Sequence, residues 1–185
     1  MKKKVLLAFS GGLDTSYCAM HLVKECGFEV VAATINTGGF DQTAANQLQE
    51  KALSLGVSDY KFIDQTAHFY EQGIKYLIFG NVLKNNTYPL SVSAERVFQA
   101  MALAYLAIEM KVDAIAHGST GAGNDQIRFD LIFQTMCPHI EIITPIRDLA
   151  LSREEEISYL QQHGVEGVWE KARYSINEGL WGTSI

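Results

Sequence analysis

The sequence predicts a doubly wound α/β fold, a five-stranded parallel sheet flanked by helices. Three observations predict it. Short apolar runs alternate with longer segments of near-helical period. Glycines punctuate several of the junctions, and two Gly-rich loops, residues 10–14 and 118–125, each follow a strand. Alternating strands and helices give a parallel sheet covered on both faces, and right-handed crossovers leave few topologies open. In such sheets ligands lie outside the carboxyl ends of the strands, so both loops should line one crevice.

Taken in order, residues 4–9 form a buried strand that stops at Gly11-Gly12. Residues 14–26 follow at helical spacing, closed by Gly27. Residues 29–35 are a second strand, and 36–42 a polar loop containing glycine. Residues 43–55 are a helix ended by Gly56, and 60–63 a third strand. Residues 67–79 are a helix interrupted by Gly73, and 81–90 read as a loop because Asn85-Asn86-Thr87-Tyr88-Pro89 carries turn chemistry. Residues 94–111 are the longest and most apolar helix. A fourth strand spans 112–117, a helix 126–137, and a fifth strand 141–146. Ser152 and Glu155 form a capping box for a helix reaching His163. The tail from Val165 has no clear period.

A chain of 185 residues with 48% hydrophobic residues can bury one sizeable core. The net charge of -6 argues against broad nucleic-acid binding, which needs a basic surface. Three cysteines, an odd number without C-x-x-C, argue against a disulfide framework or zinc site; Cys18, Cys26 and Cys137 read as small buried hydrophobes. Lys2-Lys3-Lys4 is followed by an apolar run too short for a signal peptide, and no stretch is long enough to span a bilayer. The expected location is cytoplasmic.

The first loop, Ser10-Gly11-Gly12-Leu13-Asp14-Thr15-Ser16, carries the chemistry. Paired glycines let the backbone turn tightly and approach an anion, and free amides at a helix N-terminus point at it. Ser10, Thr15 and Ser16 add hydroxyl donors. A carboxylate beside phosphates is repulsive unless a cation bridges them, so Asp14 is a candidate Mg²⁺ ligand. The loop is neither G-K-[ST] nor G-x-G-x-x-G. The competing reading is a tight strand–helix turn with Asp14 as N-cap.

The longer string resembles the S-G-G-x-D-[ST]-S loop of the N-type ATP pyrophosphatases. Within that superfamily, Ala8-Phe9-Ser10-Gly11-Gly12-Leu13-Asp14-Thr15-Ser16 is similar to the opening of argininosuccinate synthase. His117-Gly118-Ser119-Thr120-Gly121-Ala122-Gly123-Asn124-Asp125-Gln126-Ile127-Arg128-Phe129 resembles that family's H-G-x-T-G-x-G-N-D-Q-x-R-F segment. Similar matches are Tyr88-Pro89-Leu90 with Ser93, Pro145-Ile146-Arg147-Asp148 before Ser152-Arg153-Glu154-Glu155-Glu156, and Tyr174-Ser175-Ile176 with Leu180-Trp181-Gly182-Thr183-Ser184-Ile185. The resemblance runs from end to end.

It implies a Rossmann-like, adenine nucleotide alpha hydrolase-like domain that joins citrulline to aspartate. The ureido oxygen attacks the α-phosphate of ATP, and the aspartate amine then displaces AMP. By the same resemblance, Ala8 to Ser16, Thr34 and Gly118 bind ATP. Thr120, Asn124 and Asp125 bind aspartate; Tyr88, Ser93, Asn124, Arg128, Ser175 and Ser184 bind citrulline. Residues 1–165 are then the ATP-binding domain. Residues 166–185 begin the connection to a C-terminal synthetase domain that completes the citrulline site and the family's homotetramer. No nucleic-acid or membrane partner is implied.

Physical chemistry supports some of these roles. The planar fork of Arg128 matches a carboxylate, or else pairs with Asp130 or Glu109. Asp125 suits a substrate ammonium, or else makes an Asx-turn beside Gly123; Tyr88 before Pro89 is otherwise a plain loop anchor. No general base stands out, in keeping with catalysis by positioning and charge stabilisation. Departures from the family pattern lie at Ala122, Glu95-Arg96-Val97 and Asn36-Thr37-Gly38-Gly39, and leave room for an N-acylated citrulline. Two other readings are a tRNA-thiolating or amidating relative, whose usual cysteines or basic face are missing from this sequence, and a non-catalytic ATP-binding module.

Overall fold

The computed structural model describes residues 2–165 and 177–184. Strands β1 (Lys4–Ala8), β2 (Glu29–Asn36), β3 (Asp59–Asp64), β6 (Ala114–Ala116) and β7 (Glu141–Ile143) form one sheet in the order β3-β2-β1-β6-β7. Every pairing in it is parallel. The order reverses at β1, whose neighbours are β2 and β6, so the switch point lies beyond the carboxyl ends of β1 and β6.

Side-chain alternation along the strands splits the core in two. Val5 and Leu7 of β1 join Val30, Ala32, Ala114 and Ala116 under α1 (Leu13–Lys24), α2 (Gln42–Ser54) and α8 (Arg153–Gln162). Leu6 turns the other way, to Val31, Ala33 and Ile115 under α5 (Ser91–Met110) and α6 (Asp125–Met136). The central strand is buried on both faces, as its unbroken apolar run requires.

Local chemistry fixes the helix ends. The Asp41 carboxylate accepts from the Ala44 amide at 2.7 Å and caps α2. Gly27 and Gly56 take positive φ beyond α1 and α2, and Lys111 does so beyond α5. Ser152 and Glu155 make the expected reciprocal capping box on α8. Ser152→Ala is expected to lower stability by about 1 kcal/mol, read as a shift of the chemical-denaturation midpoint at unchanged slope.

Several expectations are corrected. The last strand ends at Ile143 rather than residue 146. Pro145 cannot donate to a ladder but suits a helix start, and it opens α7 (Pro145–Asp148). Asp148 accepts from the Thr144 amide and hydroxyl at 3.1 and 2.7 Å and holds that turn. Helix α5 starts at Ser91, three residues early, just after Pro89. The segment 81–90 contains a small hairpin of β4 (Leu83–Lys84) and β5 (Tyr88–Pro89), because Asn85 and Asn86 both accept positive φ. Residues 66–79 form α3 (Thr66–Phe69) and α4 (Lys75–Phe79) joined by a π-helical turn through Gly73. Strands β8 (Asn177–Gly179) and β9 (Gly182–Ser184) pair as a hairpin. Cys18 and Cys137 are buried, whereas Cys26 is exposed, since it follows the last turn of α1 rather than its core face.

Candidate functional site

The two Gly-rich loops meet at the switch point. A cleft of ≈ 710 Å³ opens there, lined by Ala8, Phe9, Ser10, Gly12, Leu13, Asp14, Thr15, Thr34, Gly118, Thr120, Asn124, Asp125 and Arg128 among others. Most of the sequence-derived candidates therefore share one wall or the other.

The first wall is the turn from β1 into α1. Gly12, not Asp14, is the N-cap, so Asp14 stands inside the first turn and the cap reading of its carboxylate is excluded. The start of α1 carries no side-chain cap, which leaves its amides to the cleft or to water. Ser10 Oγ lies 3.3 Å from Thr15 Oγ1 and accepts a long 3.4 Å bond from the Gly12 amide. Ser16 is fully buried and donates back to the Gly12 carbonyl at 2.7 Å, so its hydroxyl braces the turn rather than facing the cleft. The buried Thr34 hydroxyl likewise donates to the Phe9 carbonyl at 2.6 Å. Gly11, at φ +74°, lies behind the cleft wall against Leu48.

The second wall runs from His117 into α6. His117 is buried. Its Nδ1 accepts from the Ser119 amide at 3.3 Å, so Nε2 carries the proton it donates to Asp130 at 2.9 Å. Burial pushes the His117 pKa down, against the pull of Asp130. Burial also opposes ionisation of Asp130, but bonds from Arg147 at 2.7 Å and from His117 win and hold its carboxyl below the usual range. Asp125 faces two guanidiniums: Arg96 Nε at 3.0 Å and Arg128 Nη1 at 2.5 Å. Arg128 Nη2 donates to Ser93 Oγ at 2.9 Å. Asp125, not Asp130 or Glu109, is thus the partner of Arg128, and the Asx-turn reading of Asp125 gives way to an ion pair.

Tyr88 is 41% exposed on the β4–β5 hairpin and is not part of the cleft wall. Ser93 joins the site only through Arg128. Ser175 lies outside the described residues, as does the side chain of Ser184.

Three polar groups belong here that sequence reasoning did not assign to the site, although Glu95 and Arg96 stood out as departures from the family pattern. Glu95 is buried and accepts from Thr37 Oγ1 at 2.9 Å and Gln99 Nε2 at 3.1 Å; burial raises its pKa while Arg96 and Thr37 oppose. Arg96 and Gln99 line the same wall. The three-residue spacing of Ser93, Arg96 and Gln99 puts them on one helix face, a signal that was present in the sequence. With Glu95, Asp14 and Asp125 against Arg96, Arg128 and Arg153, the cleft is lined by carboxylates and guanidiniums in equal number.

This fold and cleft define a parallel α/β domain of the HUP type, with its ligand site at the strand carboxyl ends. Residues 4–166 match the family model described as Arginosuccinate synthase N-terminal HUP domain, and the chain belongs to that family. It is 44% identical over 185 residues to the argininosuccinate synthase of Leuconostoc citreum, a match covering 98% of this chain and 44% of that protein. The argininosuccinate synthase of Methanocaldococcus jannaschii is 40% identical, with 100% of this chain and 46% of that protein covered. The chain thus spans a little under half the length of these relatives. Among solved structures, a predicted subunit of a tRNA methyltransferase from Methanocaldococcus jannaschii shares the fold, with a TM-score of 0.59 and 21% identity over 86% of this chain and 76% of that one. Among the described residues no helix is long and apolar enough to cross a membrane.

Proposed function

We propose that the chain is the ATP-binding half of an argininosuccinate synthase, holding the nucleotide in the cleft between the two loops. The observation that carries this reading is their contact. A Cβ placed on Gly118 would lie 3.2 Å from Asp14 and 3.3 Å from the Thr15 amide, so the phosphate loop and the amino-acid loop form one site. The uncapped start of α1 suits a polyphosphate, and the mixed-charge second wall suits zwitterionic amino acids.

In this reading Ala8 to Ser10, Gly12 to Thr15, Thr34 and Gly118 line the ATP site, with Gly11 and Ser16 shaping the turn from behind. Thr120, Asn124 and Asp125 receive aspartate, and Asn124 and Arg128, the latter braced by Ser93, receive citrulline; the family resemblance adds Ser175 and Ser184, and Tyr88, which does not line the cleft. The citrulline ureido oxygen forms a bond to the α-phosphorus as the bond to pyrophosphate breaks. The aspartate amine then bonds to the ureido carbon, AMP leaves, and the amine loses a proton. A substrate carboxylate competes with Asp125 for Arg128, which leaves Asp125 one oxygen for an ammonium while Arg96 holds the other. Among the described residues no group of three or more His, Cys, Asp or Glu is placed to hold a metal. Asp14 is the residue that would hold Mg²⁺, and the ion would supply charge to offset the phosphates. In this reading the homotetramer and the rest of the citrulline site come from the part of the relatives' length that this chain does not span.

Calorimetric titration of the chain with MgATP tests the reading. Binding is expected, and no detectable binding at millimolar ATP overturns it. Asp14→Asn is expected to weaken MgATP about ten-fold, roughly 1.4 kcal/mol, with an unchanged circular-dichroism spectrum; equal affinity removes the cation bridge. Release of pyrophosphate dependent on both citrulline and aspartate tests the reaction itself.

A further inference from the structure

Lys51 belongs to none of the motifs that mark this site. It lies on α2, forty residues beyond the phosphate loop, and its Nζ donates to the Gly11 carbonyl at 2.5 Å. Neither Lys51 nor Gly11 lines the cleft, so this contact is made from behind the wall. Leu48, one turn earlier on α2, packs at the same place, with its Cδ2 2.4 Å from where a Gly11 Cβ would stand.

The geometry of one peptide group gives this contact its meaning. The Gly11 carbonyl and the Gly12 amide belong to the same peptide unit, and the described chain has no cis peptide bonds. A trans unit points its C=O and N–H in opposite directions. With the carbonyl held toward α2, the Gly12 N–H is turned toward the Ser10 side of the loop, where it makes only a 3.4 Å bond to Ser10 Oγ. Gly12 itself lines the cleft. A cation on the carbonyl also draws electron density through the amide, which makes its N–H a stronger donor.

We propose that Lys51 is a positioning residue for the phosphate loop, fixing and polarising the Gly11–Gly12 peptide so that the Gly12 N–H is aimed at a bound polyphosphate. This rests on the ATP reading of the cleft. The positive φ of Gly11, +74°, is what lets the carbonyl turn back to α2 while the chain enters α1. The partial burial of the lysine, which lowers its pKa, keeps the ammonium–carbonyl contact from being screened. An arginine at this position keeps the charge, whereas methionine keeps only the apolar stem.

The test compares Lys51→Met and Lys51→Arg with the unsubstituted chain, titrating each with Mg²⁺-pyrophosphate, MgATP and adenosine. Lys51→Met is expected to weaken pyrophosphate and ATP about ten-fold and to leave adenosine unchanged, with Lys51→Arg recovering part of the loss. Unchanged pyrophosphate and ATP affinities in Lys51→Met overturn the proposal, as does an equal loss for adenosine, which marks a general disturbance of the cleft. If the unsubstituted chain binds none of the phosphate ligands, the ATP reading falls first and this role with it. Binding by the unsubstituted chain that is indifferent to Lys51 removes this role alone.

Discussion

Gly118→Val is expected to raise the dissociation constant for MgATP at least about 100-fold, or roughly 2.7 kcal/mol, while the chain still folds. The backbone of Gly118 is not in the left-handed region, so conformational strain is not the cause. The cause is contact. A Cβ there meets the Asp14 carbonyl carbon and Cβ at 3.2 Å and the Thr15 amide at 3.3 Å. Two of these are backbone atoms of the first turn of α1 and cannot rotate aside. The other side of the contact is equally fixed, because His117 is buried and hydrogen-bonded at both ring nitrogens. The added methyls of valine must therefore push the Gly118 loop off the Ser10 to Ser16 turn. Calorimetry with MgATP measures the effect, and thermal unfolding checks the fold. An affinity within three-fold of the unsubstituted chain would show that the two loops do not share a ligand.

Glu156→Gln is expected to stabilise the chain at pH 8.5 by several kcal/mol and to change little at pH 5. Glu156 is 3% exposed, and its Oε2 is buried without a hydrogen-bond partner among the described residues. Burial first, and the neighbouring Asp14 carboxylate second, push its carboxyl up to about 8, against the attraction of Arg153 on the same helix. Tyr17 and Cys18 of α1 face it as well. Because the folded-state value lies above the unfolded one, the folded chain binds the extra proton. Stability is therefore fully present below the ordinary glutamate range and is lost as pH rises through about 8. Glutamine keeps the shape and carries no charge, so it removes that slope. Denaturant unfolding of both chains between pH 5 and pH 8.5 decides the matter, and parallel curves would refute the assignment. The position also couples the packing of α8 against α1 to the charge of Asp14.

How much of this was legible depended on how local each signal was. The turn Ser10 to Ser16 is written in consecutive residues, because its glycines and the helix start act within a few peptide units. The capping box at Ser152 is equally local, and both are found where the sequence places them. The misreadings come from competition between local preferences. Ile142 to Ile146 looks like a strand by residue type, but the missing N–H of Pro145 ends it. The Asn85-Asn86 turn was legible as a turn, whereas two-residue strands on either side of it are too short to leave a period.

By itself, the sequence determined the parallel α/β class, the turn Ser10 to Ser16 and the family, since each is encoded in short runs whose spacing is set by backbone geometry. Only the tertiary structure decided the rest. It brought Gly118 against Asp14, set Asp125 between Arg96 and Arg128, placed Glu156 under Asp14, and carried Lys51 to the back of Gly11. These pairings join residues far apart in the chain. They follow from sheet order and helix packing, which burial of the two core layers selects and no local run of residues specifies.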